Sequence, residues 1–239
     1  MGFHVMPHCN SIDMDPSNPV FEQVRDFSYR DVESKILQGW SWYGGKGIGV
    51  PESNLNRLNN RDKKVMVKIH PGLGMWRSIL IENIQKAVTD LALDAVFIDV
   101  TLCTWNIHKS IVDSTSTPEG MNKLIKYVSS INNGIAVGGE GLNEINAQGQ
   151  SFAQVHLFKH GTDGYERTGQ CDLNKFLFGK LCSPIGYSGL GGRNESEELR
   201  MQVHLNHGTI PTITISNANE IINTNRSISE MFKLANNNK

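Results

Sequence analysis

Residues 94–99, Asp-Ala-Val-Phe-Ile-Asp, constrain the fold more than any other stretch of this chain. A short apolar run that stops at a carboxylate is the pattern of a buried parallel strand whose last inward residue reaches the mouth of a barrel or sheet. Strand period two places Ala95, Phe97 and Asp99 on one face and Val96, Ile98 and Val100 on the other. A carboxylate on an interior face is costly unless it is paired, hydrogen-bonded or used. Asp99 therefore either caps the turn 101–106 or belongs to a site, and its neighbours decide which.

A buried parallel strand needs parallel partners and covering helices, and the flanking sequence supplies both. Phe3–His8 is a first strand candidate with His4, Met6 and His8 on one face. Lys64–His70 is a second, with Val65, Val67 and Ile69 facing one way and Met66, Lys68 and His70 the other. Leu80, Ile84, Ala87, Val88 and Leu91 carry helical spacing directly into the Asp99 strand. Pro118 and Glu119 open a helix striped by Met121, Leu124, Ile125 and Val128, with Pro suited to the first turn. Asn132-Asn133-Gly134 ends it, and Ile135–Glu140 is the next strand. Phe152–Phe158, Pro184–Ser188 and Ile210–Ile215 are further strands, with helices at Glu195–Asn206 and Ile228–Ala235. The polar segment from Cys9 to about Asp62 is too long for a simple connection and too aromatic for a disordered linker. It is expected to be a functional loop with some helix of its own.

Alternating strands and helices predict an α/β fold with a parallel sheet. An open doubly wound sheet would place a phosphate-binding glycine turn early, and no GxGxxG follows the first strand. The expected architecture is a (β/α)8-type barrel, incomplete, with about seven parallel strands in a single catalytic domain over 1–239. Counting back from Ile210–Ile215 as the eighth strand makes Phe3–His8 the second, so the chain starts one β/α unit late. The strands flanking that gap would be edges, covered by part of the 11–62 loop, by closure of seven strands, or by a second copy in a homo-oligomer.

A formal net charge of −1 argues against nucleic acid or an anionic membrane as a partner. No apolar run approaches the roughly 18 residues of a membrane span. Cys9, Cys103, Cys171 and Cys182 show no CxxC spacing, and free thiols are expected. No cofactor motif or metal-ligand spacing is present, so neither is expected.

In a barrel, chemistry collects at the C-terminal strand ends. Alternation makes His8, His70, Asp99 and Glu140 the inward residues there. Lys68 lies one layer below His70, where its charge would keep Asp99 ionised. Ala136 and Gly138 share Glu140's face and would leave space beneath it. Two carboxylates at neighbouring strand ends are what glycosidic cleavage requires. One attacks or stabilises the sugar cation, and the other protonates the leaving oxygen. Asp99 suits the first role and Glu140 the second, with Glu144 as a rival acid or a sugar contact. Trp40, Trp42, Tyr43, Trp76 and Trp105 lie in or beside loops, where rings stack on sugars or anchor the loops. His8, Asn10, Lys68, His70, Trp105 and Glu144 are the expected substrate contacts.

The order Gly2-Phe-His-Val-Met-Pro-His-Cys-Asn10, Ala95-Val-Phe-Ile-Asp-Val-Thr101 and Val137-Gly-Gly-Glu-Gly-Leu-Asn-Glu144 resembles bacterial glycoside hydrolase barrels related to the α-amylase and α-galactosidase superfamily. The resemblance covers roughly residues 2–215. It implies a nucleophilic Asp ending the fourth strand and a general-acid Glu ending the fifth, which map onto Asp99 and Glu140. Two departures stand out. Phe97 replaces the Arg common two residues before the nucleophile, and no late-strand Asp is evident near Ser188 or Ile215. Two other functions fit the same scaffold. One is a metal-dependent hydrolase using His8, His70, Asp99 and Glu140 with His156 or His160. The other is a non-catalytic carbohydrate-binding barrel.

Overall fold

The first strand, β1 (His8–Asn10), lies further along the chain than the alternation at Phe3–His8 predicts. In this computed structural model the Phe97 amide donates to Pro7 O at 2.8 Å, and pairing runs on to Asn10. Pro7 has no N–H, so only its carbonyl can serve a ladder. The structure describes residues 4–16, 18–30, 36–37, 49–50, 66–101, 110–155, 173–186, 204, 206–212, 217–222, 229 and 233. The chain divides into two units, Met1–Gly139 with Gln148–Gln150, and Glu140–Ala147 with Ser151–Lys239.

In the first unit, β1 is followed by β2 (Asp13–Met14), the short helix α1 (Phe21–Val24) and an antiparallel pair, β3 (Ile36–Leu37) and β4 (Gly49–Val50). Then come β5 (Val67–Lys68), helix α2 (Gly74–Asp90), β6 (Ala95–Asp99), the hairpin β7 (Ile111–Val112) and β8 (Thr115–Ser116), helix α3 (Thr117–Ser129) and β9 (Ala136–Glu140). The parallel order is β1-β6-β9, with His8 opposite Phe97, Asn10 opposite Asp99 and Ile98 opposite Gly139. The described part of the strand expected at Lys64–His70 does not join it. Among its described residues β5 forms, and it pairs antiparallel with β2, Asp13 opposite Lys68. The chain turning back after β1 offers its edge, and Ile69 N donates to Ile12 O at 2.7 Å.

Helix α3 starts where a capping box dictates. Ser116 Oγ accepts from Glu119 N at 3.4 Å, with Pro118 in the first turn. It ends at Ser129, and Asn132 and Asn133, both left-handed, follow before Gly134 at φ 115°. Its buried stripe of Met121, Leu124, Ile125 and Val128 meets Ile84 and Val88 of α2 and Val96, Ile98 and Val137 of the sheet. This is the ordinary helix-on-sheet arrangement of α/β folds. A second cluster holds Met14, Phe21, Val24, Val67, Ile69, Leu73 and Trp76. The apolar residues Phe21 and Val24 of the long loop find their place there. Leu91, which the helical spacing placed on the buried stripe, caps α2 and is exposed, because Ala92 at φ 48° ends the helix.

In the second unit, β10 (Phe152–Val155) and β11 (Ser183–Gly186) are parallel, with Phe152 opposite Ser183. Ile210 continues the pattern as a parallel bridge to Ile185. Helix α4 (Leu173–Phe178) precedes β11, and Ala147, Ala153 and Cys182 form a small core. A last helical turn runs over Ala218–Ile222. The predicted helices at 195–206 and 228–235 fall almost wholly outside the described residues.

Candidate active site

Pairing β1 with β6 in the register Asn10 to Asp99 brings two polar strand ends side by side. Asn10 uses its whole amide. Its Oδ1 accepts from Ile12 N at 3.1 Å and Asp13 N at 2.8 Å, which folds the chain tightly after β1. Its Nδ2 donates to Asp13 Oδ2 at 3.1 Å and to Asp99 Oδ2 at 3.3 Å. Beyond Asp13, Lys68 Nζ lies 3.4 Å from Asp13 Oδ1, and both side chains are largely buried. On the other side, His8 Nε2 lies 3.7 Å from Asp99 Oδ1, and the His8 ring stacks on Phe97 with centroids 4.7 Å apart and planes 9° apart. The result is one polar chain, Lys68 to Asp13 to Asn10 to Asp99 to His8. Asp99 is partly open within it: the side chain is 21% exposed.

Two further hydrogen bonds tie the backbone beneath this chain. Ser11 Oγ donates to the Asp99 carbonyl at 2.6 Å. Ser11 O in turn accepts from the Trp76 indole at 3.0 Å. Trp76 is thus a core anchor rather than a sugar platform. Cys9, between His8 and Asn10, has its thiol pushed up to about 11 by burial and, secondarily, by the Asp99 charge. It is a protonated filler and no nucleophile at neutral pH.

Three sequence expectations need correction. His70 does not open on an accessible mouth, for it is fully buried. Its Nδ1 accepts from Gly72 N at 2.8 Å and its Nε2 lies 3.0 Å from Thr117 Oγ1, which assigns the neutral tautomer with hydrogen on Nε2. Lys68 pairs with Asp13 rather than sitting below His70 to serve Asp99. The space expected over Gly138 is filled, because a Cβ there would meet Phe97 Cδ2 at 2.7 Å and Met6 Sδ at 3.0 Å. Asp13 and Ser11 are the residues that sequence reasoning missed. The available signal was the Asn10-x-x-Asp13 spacing, which is that of an Asx turn.

In the second unit, Glu140 closes β9 half-buried, and Glu144 is exposed on the loop after it. That loop bonds to itself. Asn143 N donates to Asn146 Oδ1 at 2.8 Å, Asn146 N returns to Asn143 Oδ1 at 3.0 Å, and Asn146 Nδ2 reaches Gly141 O at 3.2 Å. Gly141 takes φ 64°, letting the chain leave the strand sharply after Glu140. Trp40, Trp42, Tyr43, Trp105, His156 and His160 lie outside the described residues. Among the described residues no three His, Cys, Asp or Glu side chains group as metal ligands, and no helix is long and apolar enough to cross a membrane.

The parallel strands with covering helices form an α/β fold shared with solved TIM-barrel structures. Among solved structures, the chain is similar to the ligand-free α-N-acetylgalactosaminidase NagBb from Bifidobacterium bifidum, with TM-score 0.58 and 13% identity over 96% of this chain and 34% of that one. It is similar to the α-galactosidase TtGalA from Thermus thermophilus in complex with stachyose, with TM-score 0.55 and 10% identity over 94% of this chain and 48% of that one. It is also similar to Aspergillus fumigatus Ega3 in complex with galactosamine, with TM-score 0.54 and 8% identity over 88% of this chain and 74% of that one. At such identities the likeness is one of fold, and the chain spans less than half of the first two. No protein-family model and no curated protein matches the sequence.

Proposed function

We propose that this protein is a glycoside hydrolase in which Asp99 is the nucleophilic or stabilising carboxylate and Glu140 the general acid. The observation that carries the proposal is the Asp99 carboxylate, one-fifth exposed, held by Asn10 Nδ2 and flanked by His8 Nε2 at the C-terminal end of a parallel strand. That end is where such folds place their chemistry. Asp99 attacks or stabilises the anomeric carbon as the glycosidic bond breaks. Glu140, closing the next strand of the parallel order, gives its proton to the departing oxygen. Asn10 holds one Asp99 oxygen, and His8, beside the other, is assigned to sugar contact. Lys68 acts one step back by holding Asp13. Glu144, on the loop after Glu140, and Trp105, which follows Asp99 in the chain, are assigned to substrate contact. His70, buried and bonded at both nitrogens, is assigned a structural role.

The solved structures named above act on or bind galacto-configured sugars by their descriptions, which selects the panel for a test: aryl α-galactosides and α-N-acetylgalactosaminides beside glucosides. Wild-type protein is expected to release the aryl group from at least one. Asp99→Asn should abolish turnover while leaving binding largely intact. Glu140→Gln should slow substrates with poor leaving groups far more than activated aryl ones, since only the former need a proton. Equal losses on both substrate types would remove Glu140 from the acid role. Full turnover in Asp99→Asn would end the proposal.

A further inference from the structure

Val100, directly after Asp99, has φ 60°. The other non-glycine residues with positive φ are Ala92, Asp113, Ser114, Asn132 and Asn133, so Val100 is the one β-branched member of the set among the described residues. A branched Cβ crowds the following carbonyl in this region, and Val adopts it only when its surroundings over-determine it. The surroundings do so here. The carbonyl before Val100 is pinned by Ser11 Oγ at 2.6 Å. The Val100 side chain packs against the helix-side core with Ile98 and Val137, and Thr101 after it is buried. Turns elsewhere in this chain use cheaper residues, as Asn132-Asn133-Gly134 after α3 shows. A glycine at position 100 would make the same turn without strain, and would also leave the peptide free to rotate.

We infer that the Asp99–Val100 turn is a strained, clamped backbone device that aims the Asp99 carboxylate, with Val100 and Ser11 as positioning residues. The inference rests on the catalytic role proposed for Asp99. The clamp limits the turn to one conformation, so the carboxylate is held toward Asn10 and His8 before any ligand arrives. Preorganisation of this kind is lost when a reacting group is displaced by about 1 Å, at a cost of up to roughly 100-fold in rate.

Two substitutions separate aim from stability. Val100→Ala removes the packed side chain but keeps the φ restriction; Val100→Gly removes both. At an ordinary position glycine is the less stable of the two, whereas at a left-handed one it is the more stable. We expect Val100→Gly to unfold at a higher denaturant midpoint than Val100→Ala. We expect it also to lose about tenfold or more in kcat with KM within about twofold, while Val100→Ala, which keeps the φ restriction, loses less. Ser11→Ala should fall in kcat with the glycine variant. The carboxyl 13C resonance of Asp99 supplies a readout independent of turnover, and should move further in Val100→Gly than in Val100→Ala. Activity that follows stability, with Ala below Gly, would overturn the inference. So would an unmoved Asp99 resonance in the glycine variant. A wild type that cleaves no glycoside yet shows the resonance pattern would sink the hydrolase proposal and leave the aiming device standing.

Discussion

Asn10 meets four polar partners with one amide, and no other side chain of its size supplies two donors and two acceptors in that arrangement. The consequence is testable at the level of one atom pair. Asn10→Asp replaces the donating nitrogen by an oxygen facing two carboxylates. Like charges at this range raise one another's pKa. If ionised Asp99 is the working form, the acid limb of the kcat/KM profile should move to higher pH, with a loss of about 10–100-fold at neutral pH. A pH–rate series on an active aryl glycoside checks it, and an unmoved acid limb would separate Asn10 from Asp99. Chain order already made Asp99 and His8 visible as site candidates. What stayed hidden was the antiparallel return of β5, which gives Lys68 to Asp13 and buries His70 under Gly72.

The helices show how closely the elements are fitted. Gly120 sits in the first part of α3 against the Pro71–Gly72 turn, and a Cβ there would lie 2.3 Å from Pro71 O. Because that neighbour is backbone, relief requires the helix or the turn to shift. Gly120→Ala is therefore expected to destabilise the fold by about 2–3 kcal/mol, measured by urea unfolding, despite alanine's better helix propensity. The hairpin of β7 and β8 does a different job for α2. Its left-handed Asp113 accepts from Gly74 N at 2.9 Å, filling the donor that Leu73, at the N-cap, cannot serve. Asp113→Gly keeps the turn but loses the acceptor, and should cost about 1 kcal/mol, whereas Asp113→Asn should cost less. A larger loss from Asn than from Gly would show that turn geometry, not capping, sets the contribution.

At the scale of the molecule, among the described residues each unit holds one thiol that resists ionisation. Cys9 and Cys182 are both pushed from the ordinary 9.0 to about 11, chiefly by burial. Between those pH values the unfolded chain has released thiol protons that the folded chain still holds. The unfolded state then binds fewer protons, so folding stability falls as pH rises. Stability from these groups is complete below pH 9.0 and is lost progressively toward about 11. Replacing both by Ala should flatten that part of the alkaline decline, read as urea midpoints across the window. An unchanged slope would mean that the thiols do not titrate as their burial requires.

The sequence by itself determined the strands β6 and β9, the helices between and before them, and the carboxylates at the strand ends. Those features depend on local periodicity and caps, on Ser116-x-x-Glu119, and on apolar spacings of two and of three to four. Which side chain meets which was decided only by tertiary structure. Phe3–His8 and Lys64–His70 alternate equally well, yet β1 joins the parallel sheet and β5 turns against β2. Alternation assigns a face, but it carries no information about the partner edge, because hydrogen-bonding backbone is the same at every residue but proline. The room over Gly138 is likewise taken by Phe97 and Met6 from a neighbouring strand and from the lead-in to β1. Nor could any pattern announce that Val100 would be left-handed, since that conformation is imposed by the clamp around it and opposed by the residue itself.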